Sequence, residues 1–494
     1  MSTDQLATSA LLPLLDTTAG LDLEVLSPSG GKFDTHALSE LAVPAQTAAE
    51  AAGAAAAAVQ EIDRVPLVGA VARAVNSADD VLTRSAAAMD ALARASKLVP
   101  TMLGRDGPRS YLLLVQNNAE WRSLGGISGT AVLIRTDQGR VSLGSSASAT
   151  ALSRSLTSPI VELPDDIQSI YKTRPARWFH DLTEIPDFTV DGPLAREMFR
   201  KQTGVDVDGV LAVDPVVLSY LLKATGPVAL PDGSTLTADN AVPLFLSDVY
   251  AKFPKPTDQD AFFAGATGAI FSAFLNGQGS TPTLLTQLAR GAEEHRLFLW
   301  SAREEEQAVL AGSTLAGELP ESDDQTARIG VYLNDGTGSK MSYYLKPVVS
   351  LQWGRCGSGT DASSRELTLT STLVSTAPAD AQTTLPTYVT GNGALGTAPG
   401  SAATVTNVYL PPGWELVSAT TSNGLNPVSA TLDGRQVLTF DSILAPQQSA
   451  SFTVVIRATT TSTEAEAWVT PTADASIAPI VTAACDQTGV ATLE

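Results

Sequence analysis

Cysteine and histidine are the scarce residues of this 494-residue chain: two of the first, Cys356 and Cys485, and three of the second, His36, His180 and His295. So few soft ligands leave little room for a structural zinc site. Two cysteines in a Thr/Ser/Gly-rich half that reads as extracellular are expected to form one disulfide, with two buried thiols as the alternative. Basic residues are short as well, 31 Lys+Arg against 52 Asp+Glu, a net charge of −21. That balance argues against nucleic acid as a partner, because phosphate binding wants the opposite sign. No apolar run reaches the ~18 residues of a membrane-spanning helix. The opening MSTDQLATSALLPLLDTT lacks the basic leader of a secretory signal, so an anchor or signal upstream of Met1 is expected. The phosphate loop, the GxSxG elbow, HExxH and calcium-loop patterns are all missing.

What is present starts with length, enough for about three domains, and with 44% hydrophobic residues, enough for sizeable cores. Residues 37–62 and 66–99 step apolar residues by three and four, from Leu38 and Leu41 to Ile62 and from Val68 to Val99. Alanines fill much of the seam in the first segment. Two such segments joined at Arg64-Val65-Pro66 predict an antiparallel helical hairpin, a stalk without reactive groups. From residue 109 the pattern changes. YLLLV, TAVLIRT and RVSLG read as strands, Leu194–Thr203 and Pro215–Ala224 as helices around a Gly209–Val213 strand, and FFAGATGAIFSAFL and PTLLTQLARGAEEHRLFLW as two more helices. Alternation of this kind predicts an α/β sheet. After about residue 325 only short alternating segments remain, including MSYYLKPVVSLQW, RELTLTSTLVST and SFTVVIRATT, the signature of a β-sandwich. The expected fold is multidomain α+β: a hairpin stalk over 1–108, an α/β domain over 109–324 and an Ig-like β-sandwich over 325–494. Lys340 and Lys346 read as surface positions on a sandwich strand.

The densest polar cluster between strands is YLLLVQNNAEWRSLGGISGTAVLI. One reading is a tight loop in which Asn117 and Asn118 cap backbone groups and Arg122 pairs with Glu120. The other places Asn117, Asn118, Glu120 and Arg122 at a cleft where β-strands of an open sheet end. Arginine suits bidentate phosphate binding, and Gly125 and Gly126 permit close backbone approach. RPARWFHDLTEIPDF adds Arg174, Arg177, His180 and Asp187. Asp187 can cap a turn or reach the cleft. Asp206 and Asp208 read as solvated, Asp214 as a helix N-cap, and Trp178 and Phe179 as core.

NNAEWRSLGG, GVDVDGVLAVDP, LLKATGPV, KMSYYLK and LPTYV resemble the actinobacterial surface proteins carrying domain-of-unknown-function family 4012, over about residues 60–455. The α/β part more distantly resembles the LytR-CpsA-Psr phosphotransferases, which move wall polymers from a polyprenyl-pyrophosphate carrier to peptidoglycan. Their Arg-Ser-Asp-Thr is matched by Arg122-Ser123, with Leu124 in place of Asp. Their Tyr-x-Arg-x-Arg run is matched only by Tyr250-Ala251-Lys252-Phe253-Pro254, where Lys252 and Lys255 can supply charge.

The resemblance implies an extracytoplasmic, cell-surface protein tethered by an N-terminal anchor. It would handle a polyprenyl-linked glycan or peptidoglycan, with an envelope protein as a further partner. In the catalytic version, Arg122 with Arg174 or Arg177 grips pyrophosphate. Glu120 or Asp187 then helps to hold a divalent metal, magnesium, which bridges phosphate oxygens. The alternatives are a non-catalytic scaffold or glycan-binding protein on a degenerate fold, and a surface adhesin.

Overall fold

The computed structural model describes residues 23–62, 69–357, 363–475, 479–481, 484–485 and 491–492. It is a mixed α+β molecule of several domains, built on several sheets. The first long helix, α1 (Ala42–Gln60), carries Pro44 in its opening turn, and α2 spans Gly69–Met102. Lys97 bonds Gln46 and Gln60 bonds Thr83, so position numbers rise along one helix as they fall along the other: the pair is antiparallel. The Arg64-Val65-Pro66 link lies outside the described residues. Ala45, Ala48, Ala52 and Ala55 are fully buried in the seam, where side chains this small let two backbones approach. Near the base of the pair, Arg94 donates to the carbonyls of Val309 and Ala311. None of the helices in the described residues is long and apolar enough to cross a membrane.

Seam and outer face should respond differently to the same added volume. Ala52→Leu should lower stability by about 1–3 kcal/mol through overpacking. Ala57→Leu, on the exposed side of the same helix, should stay within about 0.5 kcal/mol of the parent. Urea unfolding of both variants checks this, and equal effects would mean the alanines do not set the spacing.

The central sheet runs β3-β2-β1-β4-β5, with β1 Arg109–Asn117, β2 Ile127–Asp137, β3 Arg140–Ser148, β4 Gly209–Val213 and β5 Leu297–Ser301. β1 is parallel to β4 and antiparallel to β2, and β4 is antiparallel to β5. Helix α3 (Phe188–Thr203) precedes β4 and α4 (Pro215–Thr225) follows it; α5 (Pro256–Leu275) and α6 (Thr281–Glu293) come next. The LFLW segment is therefore a strand, where periodicity extends the helix through it. The helix stops because His295 takes a left-handed φ of 53°, and the next residues find an open sheet edge at β4.

The C-terminal part has two five-stranded sheets. One runs β10-β13-β8-β7-β15: β7 Leu345–Cys356, β8 Ser364–Ser375, β10 Glu415–Thr421, β13 Ser449–Thr459 and β15 Ile480–Val481. The other runs β11-β12-β9-β6-β14: β6 Thr326–Asp335, β9 Ala402–Tyr409, β11 Val428–Leu432, β12 Arg435–Leu444 and β14 Glu464–Val469. Val349, Leu351, Leu367 and Val454 from the first sheet share one core with Ile329, Val331, Val408 and Leu438 from the second. Tyr332, Tyr409 and Val437 of the second sheet pack into the core that holds Leu112, Leu114 and Phe179 of the central part. The two parts are thus joined by a continuous apolar interior. Cys356 and Cys485 are disulfide-bonded, with Cα atoms 5.9 Å apart.

Candidate cleft at the end of the first strand

β1 leaves the sheet at Asn117, and the chain turns back through residues 118–126 to start β2. The turn is tight because a Cβ on Gly126 would sit 2.2 Å from the Asn117 carbonyl oxygen; only glycine fits. Trp121 plugs the loop into a second apolar core beside Tyr250 and Leu333, fully buried. The Asp335 amide of β6 donates to the Trp121 carbonyl at 2.9 Å. The loop is therefore clamped between the central and C-terminal parts, and this decides where its charged side chains go.

Arg122 is 7% exposed. Its Nη2 donates to Asp181 Oδ1 at 2.8 Å, its Nη1 to the Trp121 carbonyl at 2.8 Å, and its Nε lies 3.7 Å from Glu184 Oε1. Burial alone would press the guanidinium toward neutrality; Asp181 and Glu184 more than reverse that, so its pKa is raised. The pairing with Glu120 expected of a simple loop is replaced by these two carboxylates. Arg174, half exposed, places Nε and Nη2 on Glu184 Oε2 at 3.1 and 3.0 Å. Burial raises the Glu184 carboxyl, and Arg122 pulls it back. Arg177 lies over the Trp178 ring at 4.7 Å; Trp178 is partly exposed while Phe179 is core.

Glu120 pairs instead with Lys340. Lys340 is buried, 3% exposed, and precedes a short 3-10 turn, Met341–Tyr344, rather than lying on a strand. The surface reading of Lys340 is corrected here: its ammonium is covered by Tyr250 and Tyr388, at 4.6 and 5.0 Å from the ring centroids. Burial would lower its pKa, and the Glu120 charge drives it up. Lys346 does sit at the surface, beside Asp474.

Asp187 caps α3, accepting from the Thr189 amide and hydroxyl at 2.9 and 2.6 Å. Glu120 is thus taken up by an ion pair and Asp187 by a helix cap. Among the described residues no group of three or more His, Cys, Asp or Glu could hold one. Asn118 donates to Asp214 Oδ2 and to the Pro471 carbonyl, both at 3.1 Å, and is fully buried. Asp214 caps α4 through Val217 and also takes Arg296 at 2.7 Å. Asp206 pairs with Arg196, and Asp208 ties Arg109 and the Ser110 amide.

A cleft of about 310 Å³ does open where β1 ends. Val115, Gln116 and Asn117 come from β1, and Leu218, Phe245, Leu246 and Phe263 give it an apolar wall. Of the residues nominated from sequence, Asn117 and His180 line it; Arg122, Asn118, Glu120, Asp187, Arg174 and Arg177 do not. Asn117 donates to the Tyr250 hydroxyl at 2.5 Å. His180 Nε2 lies 3.4 Å from Thr150 Oγ1, and burial lowers its pKa, which favours the neutral imidazole. Arg154 stands exposed at the rim, without an ion-pair partner among the described residues. Asp260 supplies a rim carboxylate.

Sequence reasoning missed Arg154, Lys340, Tyr250 and Tyr388 as lining residues. The Tyr-Ala-Lys-Phe-Pro run pointed to the right place but to the wrong residues: Tyr250 enters the cleft, while Lys252 turns away to Asp232 at 2.6 Å. The motif KMSYYLK contained the signal for Lys340, a lysine inside an apolar and aromatic segment.

A family model described as "Protein of unknown function (DUF4012)" matches residues 106–250. That stretch carries β1 to β4 and ends at Tyr250. No curated protein matches the chain. Among solved structures, the Lin1025 protein of Listeria innocua is similar at 12% identity, covering 45% of this chain and 85% of that one, with a TM-score of 0.21.

Proposed function

We propose that this is an extracytoplasmic cell-envelope protein whose cleft holds an amphiphile, a polyprenyl-linked wall glycan, without turning it over. The central part is read as a LytR-CpsA-Psr-like domain that has kept the fold and lost the chemistry, and the paired C-terminal sheets as an Ig-like β-sandwich. The observation that carries the binding reading is the cleft itself: an apolar wall of Leu218, Phe245, Leu246 and Phe263 faces an uncompensated guanidinium, Arg154, at the rim. A hydrocarbon tail is stabilised by the first and an anionic head by the second. The volume of about 310 Å³ lies at the low end of small-molecule pockets, roughly 300–1,000 Å³. It suits a head group with a short stretch of chain, the rest of the isoprenoid staying outside. The disulfide supports an oxidising compartment.

The non-catalytic form is favoured because Arg122, Glu120 and Asp187, the groups nominated for catalysis, are already engaged. Arg122 is neutralised by two carboxylates, Glu120 by Lys340, and Asp187 is a helix cap. Farnesyl phosphate, kept below its micellar concentration, should bind saturably, and inorganic phosphate alone should not. Arg154→Ala should weaken farnesyl phosphate by ~10-fold or more, as expected for one charged hydrogen bond of about 1.5–3 kcal/mol. Calorimetric titration of both proteins checks this. Absence of saturable binding by the parent protein would end the amphiphile reading, and glycan transfer to peptidoglycan on incubation with a glycosylated carrier would end the non-catalytic one.

A further inference from the structure

The polar side of the cleft is built from two elements. The short helix Ala149–Ser153 follows β3, and its cap residue Arg154 keeps helical dihedrals, φ −54° and ψ −40°. Thr150 and Arg154 are four positions apart, so they share one face of that helix, about 5–6 Å apart at Cβ. Both line the cleft. The 3-10 turn Phe179–Asp181 is pinned to the same helix. Phe179 is fully buried, and its amide donates to Ser153 Oγ at 2.8 Å. The next residue, His180, also lines the cleft and has Nε2 3.4 Å from Thr150 Oγ1. A hydroxyl, an imidazole and a guanidinium are thus gathered on one side of the cleft by two elements locked to each other.

The charges acting on His180 come in pairs. Asp181 and Glu120 favour its protonation, and Arg122 and Lys340 oppose it. These four form two ion pairs, Arg122 with Asp181 and Lys340 with Glu120. They largely cancel at the ring, so burial decides, and the imidazole is neutral near pH 7. Asp260, the carboxylate that shares the lining, is shifted by partial burial with no cation offsetting it, so it is not the counter-charge of Arg154. A hydrocarbon here would strand the guanidinium and gain nothing from the imidazole. A cation would meet Arg154. An oxyanion accepts from the guanidinium and the hydroxyl, and it supplies the negative charge that makes an imidazolium favourable.

We infer that Thr150, Arg154 and His180 form one oxyanion seat, which engages the phosphodiester of the carrier-linked ligand and gains a proton on His180 as it does so. The seat rests on the amphiphile reading of the cleft and goes beyond it by coupling ligand binding to pH. The sign follows from linkage. Burial holds the His180 value below the ordinary 6.5, and a bound anion raises it. Between the two values each unit fall in pH tightens binding by up to about tenfold; below both, affinity levels off. A ligand held firmly in mild acid is released more readily as the surroundings become alkaline.

Farnesyl methyl phosphate is the probe, a diester whose single charge does not titrate around neutral pH. Calorimetric titration in two buffers of different ionisation enthalpy counts the protons bound with it. The parent protein should take up a large part of one proton per ligand, and its affinity should be about tenfold or more higher at about pH 5.5 than at about pH 8. His180→Gln should erase both effects, and Asp260→Asn, at an exposed position, should keep both. Thermal melts check that the variants fold; the proton count on the parent and on Asp260→Asn does not depend on His180→Gln folding. If the parent does not bind the probe, the amphiphile reading fails and the seat with it. Binding without proton uptake, uptake that survives His180→Gln, or uptake lost in Asp260→Asn overturns the seat and leaves the amphiphile reading standing.

Discussion

Arg122→Met should lower the free energy of unfolding by about 3–5 kcal/mol, the usual result of removing one partner from a buried ion pair. The substitution keeps most of the volume and deletes the charge. Asp181 and Glu184 are then left facing each other in a site where Arg122 Nη2 and Nε had held them. Arg174 would still reach Glu184, but it is half exposed. Burial already raises the Glu184 carboxyl. Without Arg122 it should therefore take up a proton more readily, and part of the loss should be recovered as pH falls. The sign follows from linkage: a carboxyl whose folded pKa rises above its unfolded value binds protons better when folded, so acid favours the folded state. Urea unfolding at neutral pH and near pH 5 measures both effects. A loss below about 1 kcal/mol together with abolished farnesyl phosphate binding would return Arg122 to the ligand.

That outcome turns on partners the sequence hides. Arg122 and Asp181 are 59 positions apart, Glu120 and Lys340 are 220 apart, and no local pattern couples them. From the linear chain, Glu120 and Arg122 look like each other's partner because they are neighbours. The clamp on Trp121 separates them instead, one toward the central part and one toward the C-terminal part. Local signals were more legible. The alanine steps gave a close helix pair because the seam period is written in the residues themselves. Asp214 before Pro215 announced a cap, and its second role with Arg296 did not show. Alternation misled at KMSYYLK, where a 3-10 turn buries Lys340 before the strand begins at Leu345. Helical periodicity misled at LFLW, where one left-handed residue converts a helical continuation into a strand. A cleft at the end of β1 followed from sheet logic; its lining did not, because Tyr250, Lys340 and Tyr388 arrive from three other elements.

Replacing Cys356 and Cys485 together with serine should cost about 5 kcal/mol, the chain-entropy value for so long a closed loop. The sequence separation is 129 residues, so the bond restrains much of the C-terminal part in the unfolded chain. It also fixes a weak element. Among the described residues, β15 pairs with β7 through Ile480 with Ser350 and Val481 with Leu351, a short ladder for holding a strand in place. Cys485 is 4% exposed and belongs to the core shared by the two sheets. Two mechanisms can then be told apart by size. If the tail stays docked until the whole sheet pair unfolds, the full loop-closure term should appear in urea unfolding of the double serine variant. If the tail frays first, the crosslink restrains only that tail, and the loss should fall below about 1 kcal/mol. The first result is expected, because Cys485 is packed among side chains from both sheets. The unreduced protein should also show no free thiol after unfolding in denaturant; two free thiols would remove both the bond and the compartment argument built on it.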